Sequence, residues 1–249
     1  MSGKRKARLD VLVAERGLAE NLTRAAALIL AGSITVNGRA AAKPGRAYAA
    51  DAVIALRENP LPYVSRGGIK LAGALDHFGL QVKGKLALDV GASTGGFTDC
   101  LLQRGAAKVF AVDVGKGLLH WKLRQDPRVK VLEEVNARYL DPALIPEPAD
   151  LATLDVSFIS LDKILPPVSR LLKPSGFILA LVKPQFEVGK GEVGKGGVVR
   201  DPGKQQAAVD RIAEFARSLG LEEKGRVPAA IKGPKGNQEY FLYLLRIAK

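Results

Sequence analysis

Apolar runs and amphipathic segments alternate along most of the chain, and each pattern predicts a different element. Apolar-rich runs, which suit strands buried in a parallel sheet, cover 86–90, 108–113, 129–132, 150–155, 176–182 and 239–247. Segments with helical character cover 70–78, 97–102, 160–172 and 205–219. Strand and helix alternate from residue 85 onward, which predicts one parallel-rich sheet covered by helices on both faces, the doubly wound α/β class.

The first part of the chain has a different pattern and is predicted to form a separate small unit. Helical spacing over 8–17 and over 22–32 stops at a glycine in both cases. A short strand then meets Asn37-Gly38, a strong signal for a hairpin turn, and a second strand is predicted at 53–56. Prolines disfavour helix in the segment that follows. We therefore predict a small α+β domain at 1–56, a linker at 57–64 and the larger α/β domain at 65–249.

A buried apolar strand runs directly into a glycine-rich turn and a helix, the order of the first βα unit in a doubly wound sheet. Gly91, Gly95 and Gly96 let the backbone approach a ligand, and the amides at the helix start favour negative groups. Asp89 is expected to face the ligand's amino group. Asp113 lies about 20 residues beyond the loop, where such folds hold a ribose diol. The alternative is an ordinary tight turn with a capping acid.

The charge balance narrows the class of partner. Lysine and arginine number 38 against 25 acidic residues, so the net charge is +13, which suggests a nucleic acid or an anionic membrane surface. No apolar run reaches the roughly 18 residues of a membrane span. The start of the chain lacks the apolar core of a signal peptide, so we expect a cytoplasmic protein. Cys100, His77 and His120 are too few for an intrachain disulfide or a Cys/His metal cluster, so no metal is expected. We expect Cys100 to lie in a core helix, and His120 and Trp121 to pack rather than catalyse.

Basic residues are concentrated in the small unit. Residues 1–60 hold ten basic and five acidic residues, an excess of +5 that favours RNA contact over a merely solvated face. The glycine-rich stretch 188–198 is expected near the ligand edge, either as a mobile flap that grips substrate or as a simple surface connection. The RNA-binding candidates are Arg5, Lys6, Arg8, Arg24, Arg39, Lys43, Arg66 and Lys190.

The sequence Asp-Val-Gly-Ala-Ser-Thr-Gly-Gly-Phe at 89–97 resembles motif I of the S-adenosylmethionine (SAM)-dependent methyltransferases. It is most similar to the FtsJ-type ribose methyltransferases, which usually carry Ala-Pro where this chain has Ser93-Thr94. The Ser-Thr form resembles the TlyA/haemolysin A family. The early Arg-Leu-Asp and the Val-Asn-Gly turn resemble the RNA-binding domain of the ribosomal protein S4 type. These resemblances imply a Rossmann-like methyltransferase sheet preceded by an S4-like domain.

The resemblance also implies a cofactor, a substrate and a set of contacts. The cofactor is SAM, the partners are ribosomal RNA or ribosomal subunits, and the reaction transfers a methyl group to a cytidine 2′-hydroxyl. The substrate is 23S rRNA and, in some members of the family, 16S rRNA too. The cofactor-binding candidates are Asp89, Gly91, Ala92, Ser93, Gly95, Gly96, Phe97, Asp113, Asn136 and Asp155.

Four residues, Lys70, Asp155, Lys183 and Glu239, resemble the catalytic tetrad of the FtsJ-type enzymes in order and in local context. A ribose hydroxyl is a poor nucleophile, and two lysines held close repel, so one of them can give up its proton and act as a base. Lys183 is the candidate base, and Lys70 supplies the like charge and stabilises the developing oxyanion. Asp155 and Glu239 orient the lysines.

Two other classes of function stay open at this point. One is a non-catalytic RNA-binding protein that keeps the fold. The other is a membrane-acting haemolysin, a name attached to relatives.

Overall fold

The computed structural model describes residues 6–30, 32–41, 43–56, 62–233 and 235–247. The chain divides into two compact units, Met1–Arg66 and Gly67–Lys249. Arg5 and residues 57–61 of the predicted linker lie outside the described residues, so the linker stays a prediction.

The N-terminal unit packs two helices with short antiparallel strands. Its elements are β1 (Lys6–Arg8), α1 (Leu9–Glu15), α2 (Leu22–Leu30), β2 (Ile34–Val36), β3 (Arg39–Ala40), β4 (Ala47–Ala49) and β5 (Ile54–Leu56). The strand order is β3-β2-β5 in one sheet, and β1 pairs with β4 in another. Leu9, Val13, Ile29 and Ile34 are fully buried in the core of this unit.

The sequence pattern predicts the two helices and the hairpin correctly but misses the β1–β4 pair. Asn37 and Gly38 both have a positive φ, 50° and 75°, as the predicted two-residue hairpin turn requires. Strands of three residues, such as β1 and β4, are too short for an alternating pattern to stand out from their flanks.

The C-terminal unit is a seven-stranded sheet with helices between its strands. Its first half holds α3 (Gly67–His77), β6 (Leu86–Val90), α4 (Gly96–Gln103), β7 (Lys108–Val112), α5 (Trp121–Arg124), β8 (Val129–Leu132) and β9 (Ala149–Leu154). The second half holds α6 (Leu165–Arg170), β10 (Leu172–Val182), α7 (Pro184–Glu187), α8 (Pro202–Ser218), β11 (Leu221–Pro228) and β12 (Tyr240–Arg246).

The strand order β11-β12-β10-β9-β6-β7-β8 makes the sheet mixed. β8, β7, β6, β9 and β10 run parallel, whereas β12 is antiparallel to both β10 and β11. Two expectations are corrected here. β11 was not predicted, because the polar sequence Glu-Glu-Lys-Gly-Arg of this edge strand breaks the apolar run. The helix expected at 160–172 is reduced to α6 and a short 3-10 turn, and β10 begins already at Leu172.

The topology positions the ligand edge. β6 is buried at every position and has β7 on one side and β9 on the other, so the chain order reverses at this strand. Ligands of doubly wound sheets bind outside the carboxyl ends of the strands at such a switch point. The residues that follow β6, β9 and β10 therefore converge there.

Candidate active site

The glycine-rich loop after β6 adopts a conformation that only glycine accepts readily at two positions. Gly91 has φ +84°, and a Cβ there would lie 2.6 Å from the carbonyl oxygen of Asp155. Gly95 has φ +95°, and a Cβ there would lie 2.3 Å from a methyl carbon of Leu123. The loop thus passes close to the segment after β9 and leads into the first turn of α4. Its backbone forms a narrow cradle for a ligand.

Asp113 joins this loop to the next strand. The backbone amide of Ser93, which has a positive φ of 49°, donates to Asp113 Oδ2 over 2.8 Å. The amide of Gly115 donates to Asp113 Oδ1 over 2.7 Å. The amide of Ala92 also reaches across and donates to the carbonyl of Val112 over 3.1 Å. The expected ribose-binding acid therefore holds the loop itself, and each of its oxygens keeps capacity for a further hydrogen bond.

Two predicted cofactor contacts lie inside the core. Asp89 has no exposed surface, and its carboxylate accepts hydrogen bonds from the hydroxyls of Thr98, at 2.6 Å, and Thr153, at 2.9 Å. Burial raises the pKa of Asp89 to about 6. Phe97 is 3% exposed and packs against Phe241 with ring centroids 5.9 Å apart. We therefore correct both expectations: these side chains support the loop from below rather than face a ligand.

Asn136, the residue predicted to hold the adenine, is exposed. Its side-chain oxygen accepts from the amide of Arg138 and caps the 3-10 turn Ala137–Tyr139. Tyr139 next to it is also exposed, with the Arg138 guanidinium over its ring.

The four tetrad residues are arranged as two ion pairs. Lys70, on α3, lies 2.5 Å from Glu239 Oε2, and both side chains are nearly fully buried. Lys183, directly after β10, lies 2.5 Å from Asp155 Oδ1 and donates to the Ser157 hydroxyl over 2.9 Å. Each ammonium group thus has its own carboxylate. Asp155 and Glu239 thus each hold one lysine, as the resemblance to the tetrad implies.

Glu187 holds α7, the short helix that begins directly after Lys183, and no sequence pattern beyond its position in the matched context predicts this role. Its buried carboxylate accepts from the Ser160 hydroxyl over 2.6 Å and from the Leu161 amide over 2.9 Å, and it pairs with Arg211 of α8. Burial raises the pKa of Glu187 despite these partners. The short helix α7 is therefore fixed to its surroundings directly after Lys183.

Phe158 is the most unusual side chain near this edge. It is 89% exposed, has a positive φ of 65° and follows Ser157, the hydroxyl partner of Lys183. Among the ring contacts that the structure describes, Phe158 makes one, with Phe186, and their ring centroids are 5.1 Å apart. A bulky residue in this backbone region is strained, and such strain often marks a functional position.

The comparisons with known proteins agree with this geometry. The model of the FtsJ-like methyltransferases matches residues 63–246, and that of the S4 domain matches residues 7–54. The chain belongs to the FtsJ-like methyltransferase family. Its relatives include the 16S/23S rRNA (cytidine-2′-O)-methyltransferase TlyA of Mycobacterium tuberculosis, which is 48% identical over 96% of this chain and 90% of the relative.

Two other relatives in the family carry the name hemolysin. Hemolysin A of Brachyspira hyodysenteriae is 40% identical over 96% of this chain and 99% of its own length. A solved structure of a hemolysin from Streptococcus thermophilus is similar with a TM-score of 0.78 and 41% identity, covering 99% of this chain and 90% of that one. Among the described residues, no helix is both long and apolar enough to cross a membrane. The described residues also contain no cluster of His, Cys, Asp or Glu suited to a metal ion.

The S4-type unit holds most of the predicted RNA contacts, and they differ in their surroundings. Lys6, Arg39 and Lys43 are exposed. Arg8 forms a two-pronged ion pair with the buried carboxylate of Asp10, whose pKa it lowers. Arg24 is half-buried near the start of α2. Of these residues, Arg8 is held in place by Asp10.

The remaining sequence expectations have mixed outcomes. Arg66 is exposed, and the side chain of Lys190 lies outside the described residues. Cys100 is fully buried in α4, as expected. His120 caps α5 and stacks with Trp121, with centroids 5.9 Å apart, although Trp121 stays 58% exposed.

Proposed function

We propose that this chain transfers a methyl group from SAM to the 2′-hydroxyl of a cytidine in ribosomal RNA, in 23S rRNA and also in 16S rRNA. The observation that carries the proposal is the Lys183–Asp155 pair beside the glycine cradle. It places a side chain that can accept a proton next to a loop that can bind the cofactor. The 48% identity to TlyA, which is named as a 16S/23S rRNA (cytidine-2′-O)-methyltransferase, supports the choice of substrate.

The residues present fit SAM. The cradle carries no side chain at Gly91 and Gly95, so its backbone can approach the amino-acid part of the cofactor. Asp113, which accepts from the Ser93 amide of the loop, is proposed to bind the ribose, and Asn136 the adenine. Asp155 lies next to the loop, because its backbone carbonyl is close to Gly91. When bound, SAM supplies an activated methyl group on a positively charged sulfur.

The tetrad then handles the ribose hydroxyl. Lys183 first releases one ammonium proton to solvent. The neutral amine, still oriented by Asp155 and Ser157, then takes the hydroxyl proton on Nζ as the ribose oxygen attacks the methyl group. Lys70 stays charged on Glu239 and stabilises the negative charge that develops on the oxygen. Correct placement of the two reactants supplies much of the remaining acceleration.

Phe158 is proposed to hold the target nucleotide. A base inside a duplex or a stacked loop keeps its ribose out of reach of a recessed site, so the nucleotide must be extruded. An exposed aromatic ring two residues from Val156 and adjacent to Ser157 is placed to stack on the extruded base. This gives the strained backbone of Phe158 a physical purpose.

The partner is proposed to be ribosomal RNA or a ribosomal subunit, bound in part by the S4-type unit, and the cytoplasm is proposed as its location. The alternative of an RNA-binding protein without activity is disfavoured because Lys70 and Lys183 are both present and paired. The hemolysin names belong to the same family as TlyA and require no separate activity.

The proposal is tested by incubating purified ribosomal subunits from cells that lack this chain with the protein and labelled SAM. Mass spectrometry of the digested rRNA should show 2′-O-methylcytidine. Lys183→Ala should abolish the product, whereas Lys163→Ala, at a half-exposed lysine paired only with its neighbour Asp162, should leave it unchanged. Methyl groups on a base instead of the ribose, or none with the unaltered chain, contradict the proposal.

A further inference from the structure

A cleft in the N-terminal unit lies beside the β2–β3 hairpin. Its volume is about 550 Å³, and it is lined by Val36, Asn37, Arg39, Ala40, Arg46 and Tyr48. These lining residues include two arginines and no carboxylate. Binding pockets for small ligands have volumes of about 300–1,000 Å³. The cleft therefore has room for one nucleotide and a charge that favours phosphate.

One wall of the cleft is a layered arrangement of an aromatic ring and a guanidinium group. Tyr48 is half-buried and packs against the core of the unit. The guanidinium carbon of Arg46 lies over this ring, 5.3 Å from its centroid. Arg46 is itself exposed, so its guanidinium group is accessible to a ligand. Unpaired RNA bases stack on such guanidinium planes.

The backbone of the cleft is held in place before any ligand binds. The carbonyl of Arg46 accepts from the amide of Leu9 at the start of α1, over 2.9 Å. Across the cleft, Arg39 follows the tight turn at Asn37, whose side-chain oxygen accepts from the amide of Val53 over 2.9 Å. Preorganised walls lower the ordering cost of binding.

We propose that this cleft binds a single unpaired RNA nucleotide, with its base stacked on Arg46 and its phosphate paired with Arg39. The inference rests on the proposed function, because it takes RNA as the partner, and it adds that the S4-type unit binds a single-stranded segment. A base in an A-form duplex is covered by its neighbours, whereas a splayed base can enter a cleft. An acidic peptide would use the charge but leave the planar face of Arg46 without a partner.

The test measures binding of the full-length chain to two probes by fluorescence anisotropy. The first probe is an oligocytidylate of about eight nucleotides, within the usual single-strand site sizes. The second is the abasic ribose-phosphate backbone of the same length. Arg46→Lys keeps the charge but removes the planar group. It should weaken oligocytidylate binding roughly tenfold and leave binding of the abasic probe unchanged.

A charge variant separates stacking from phosphate pairing. Arg39→Gln should weaken binding of both probes and lower the slope of log affinity against log salt by roughly 0.7, the value for one phosphate contact in a single strand. Lys83→Gln, an exposed charge change in the C-terminal unit and outside the lining, should preserve the difference between the two probes. Thermal unfolding of each variant verifies that the unit stays folded.

The outcomes separate this proposal from the proposed function. Equal binding of oligocytidylate by Arg46→Lys and the unaltered chain overturns the cleft, even if rRNA is methylated normally. If an octaglutamate peptide displaces the RNA, and if this displacement is lost in Arg46→Lys, the cleft is a peptide site and the proposal is wrong. Failure of rRNA methylation with the Arg46 effect intact would instead overturn the proposed function and leave the cleft as an RNA site.

Discussion

Asp89 is a carboxyl group without exposed surface in the middle of the sheet, bonded to two threonine hydroxyls. Its pKa of about 6 in the folded chain is above the ordinary value of 3.8, because burial disfavours the charged form. The folded state therefore binds a proton more tightly than the unfolded state. Its contribution to stability is fully present below about pH 4 and is lost as the pH rises through about 6.

This gives a prediction for Asp89→Asn, which removes the titration while keeping the shape. The free energy of unfolding of the unaltered chain, relative to the variant, should increase by roughly 2 kcal/mol when the pH is lowered from 7 to 4.5. Denaturant unfolding at the two pH values measures it. A difference between the two proteins that does not change with pH would show that Asp89 does not titrate in this range.

Gly91 is the residue at which the loop approaches the segment after β9 most closely. For Gly91→Ala we expect SAM affinity to fall roughly tenfold or more, because the new Cβ would lie 2.6 Å from a backbone oxygen and must displace the cradle. Gly79→Ala is the matched control, since Gly79 also has a positive φ, +64°, but has nothing within 4 Å of a Cβ. Calorimetry with SAM compares them. Equal affinities would remove the loop from the cofactor site.

At the scale of elements, the glycine-rich segment after α7 is anchored to the segment before β12. The buried side chain of Asn237 accepts from the Val199 amide over 2.9 Å and donates to the Gly197 carbonyl over 2.8 Å. Gln205 of α8 donates to the Val199 carbonyl over 2.7 Å. Asn237 is only two residues from Glu239, so the end of this segment is tied to the tetrad.

We therefore expect Asn237→Ala to loosen the segment, because the buried Val199 amide and the half-buried Gly197 carbonyl lose their partner. An unsatisfied buried group costs about 1–3 kcal/mol. Trypsin cleavage after Lys190 or Lys195 should become faster. Gln206→Ala, at an exposed neighbour of Gln205 that bonds only within α8, is the control and should cleave at the normal rate. Unchanged cleavage of Asn237→Ala would mean that the segment is held by other contacts.

The sequence predicts the parallel part of the sheet well, because long apolar runs indicate buried strands. It fails where tertiary contacts decide. The polar edge strand β11 forms only because β12 pairs with it along its length. Asp89 and Phe97 belong to the glycine motif, yet their side chains are buried in the core. The pairing of each lysine with its own carboxylate follows from tertiary contacts that no local pattern encodes: α3 lies beside the start of β12, and β10 lies beside β9.

For the molecule as a whole, the charge of +13 is the property that favours a nucleic-acid partner. The S4-type unit contributes ten basic and five acidic residues within 1–60. Removing these residues should weaken binding to an rRNA fragment and make its affinity less dependent on salt, because fewer counterions are released. Filter binding over a range of salt concentrations measures both effects. An unchanged affinity and salt slope would assign another role to this unit.

The central claim of the account is that Lys183 takes the proton of the ribose hydroxyl. It is tested most directly by single-turnover methyl transfer to rRNA, followed over pH, with Lys183→Arg. Arginine keeps the charge opposite Asp155 but does not deprotonate at accessible pH. The account predicts a loss of about 10²- to 10⁴-fold in rate with SAM binding largely retained. A near-normal rate for Lys183→Arg would contradict it, and the tetrad would then act by positioning and charge alone.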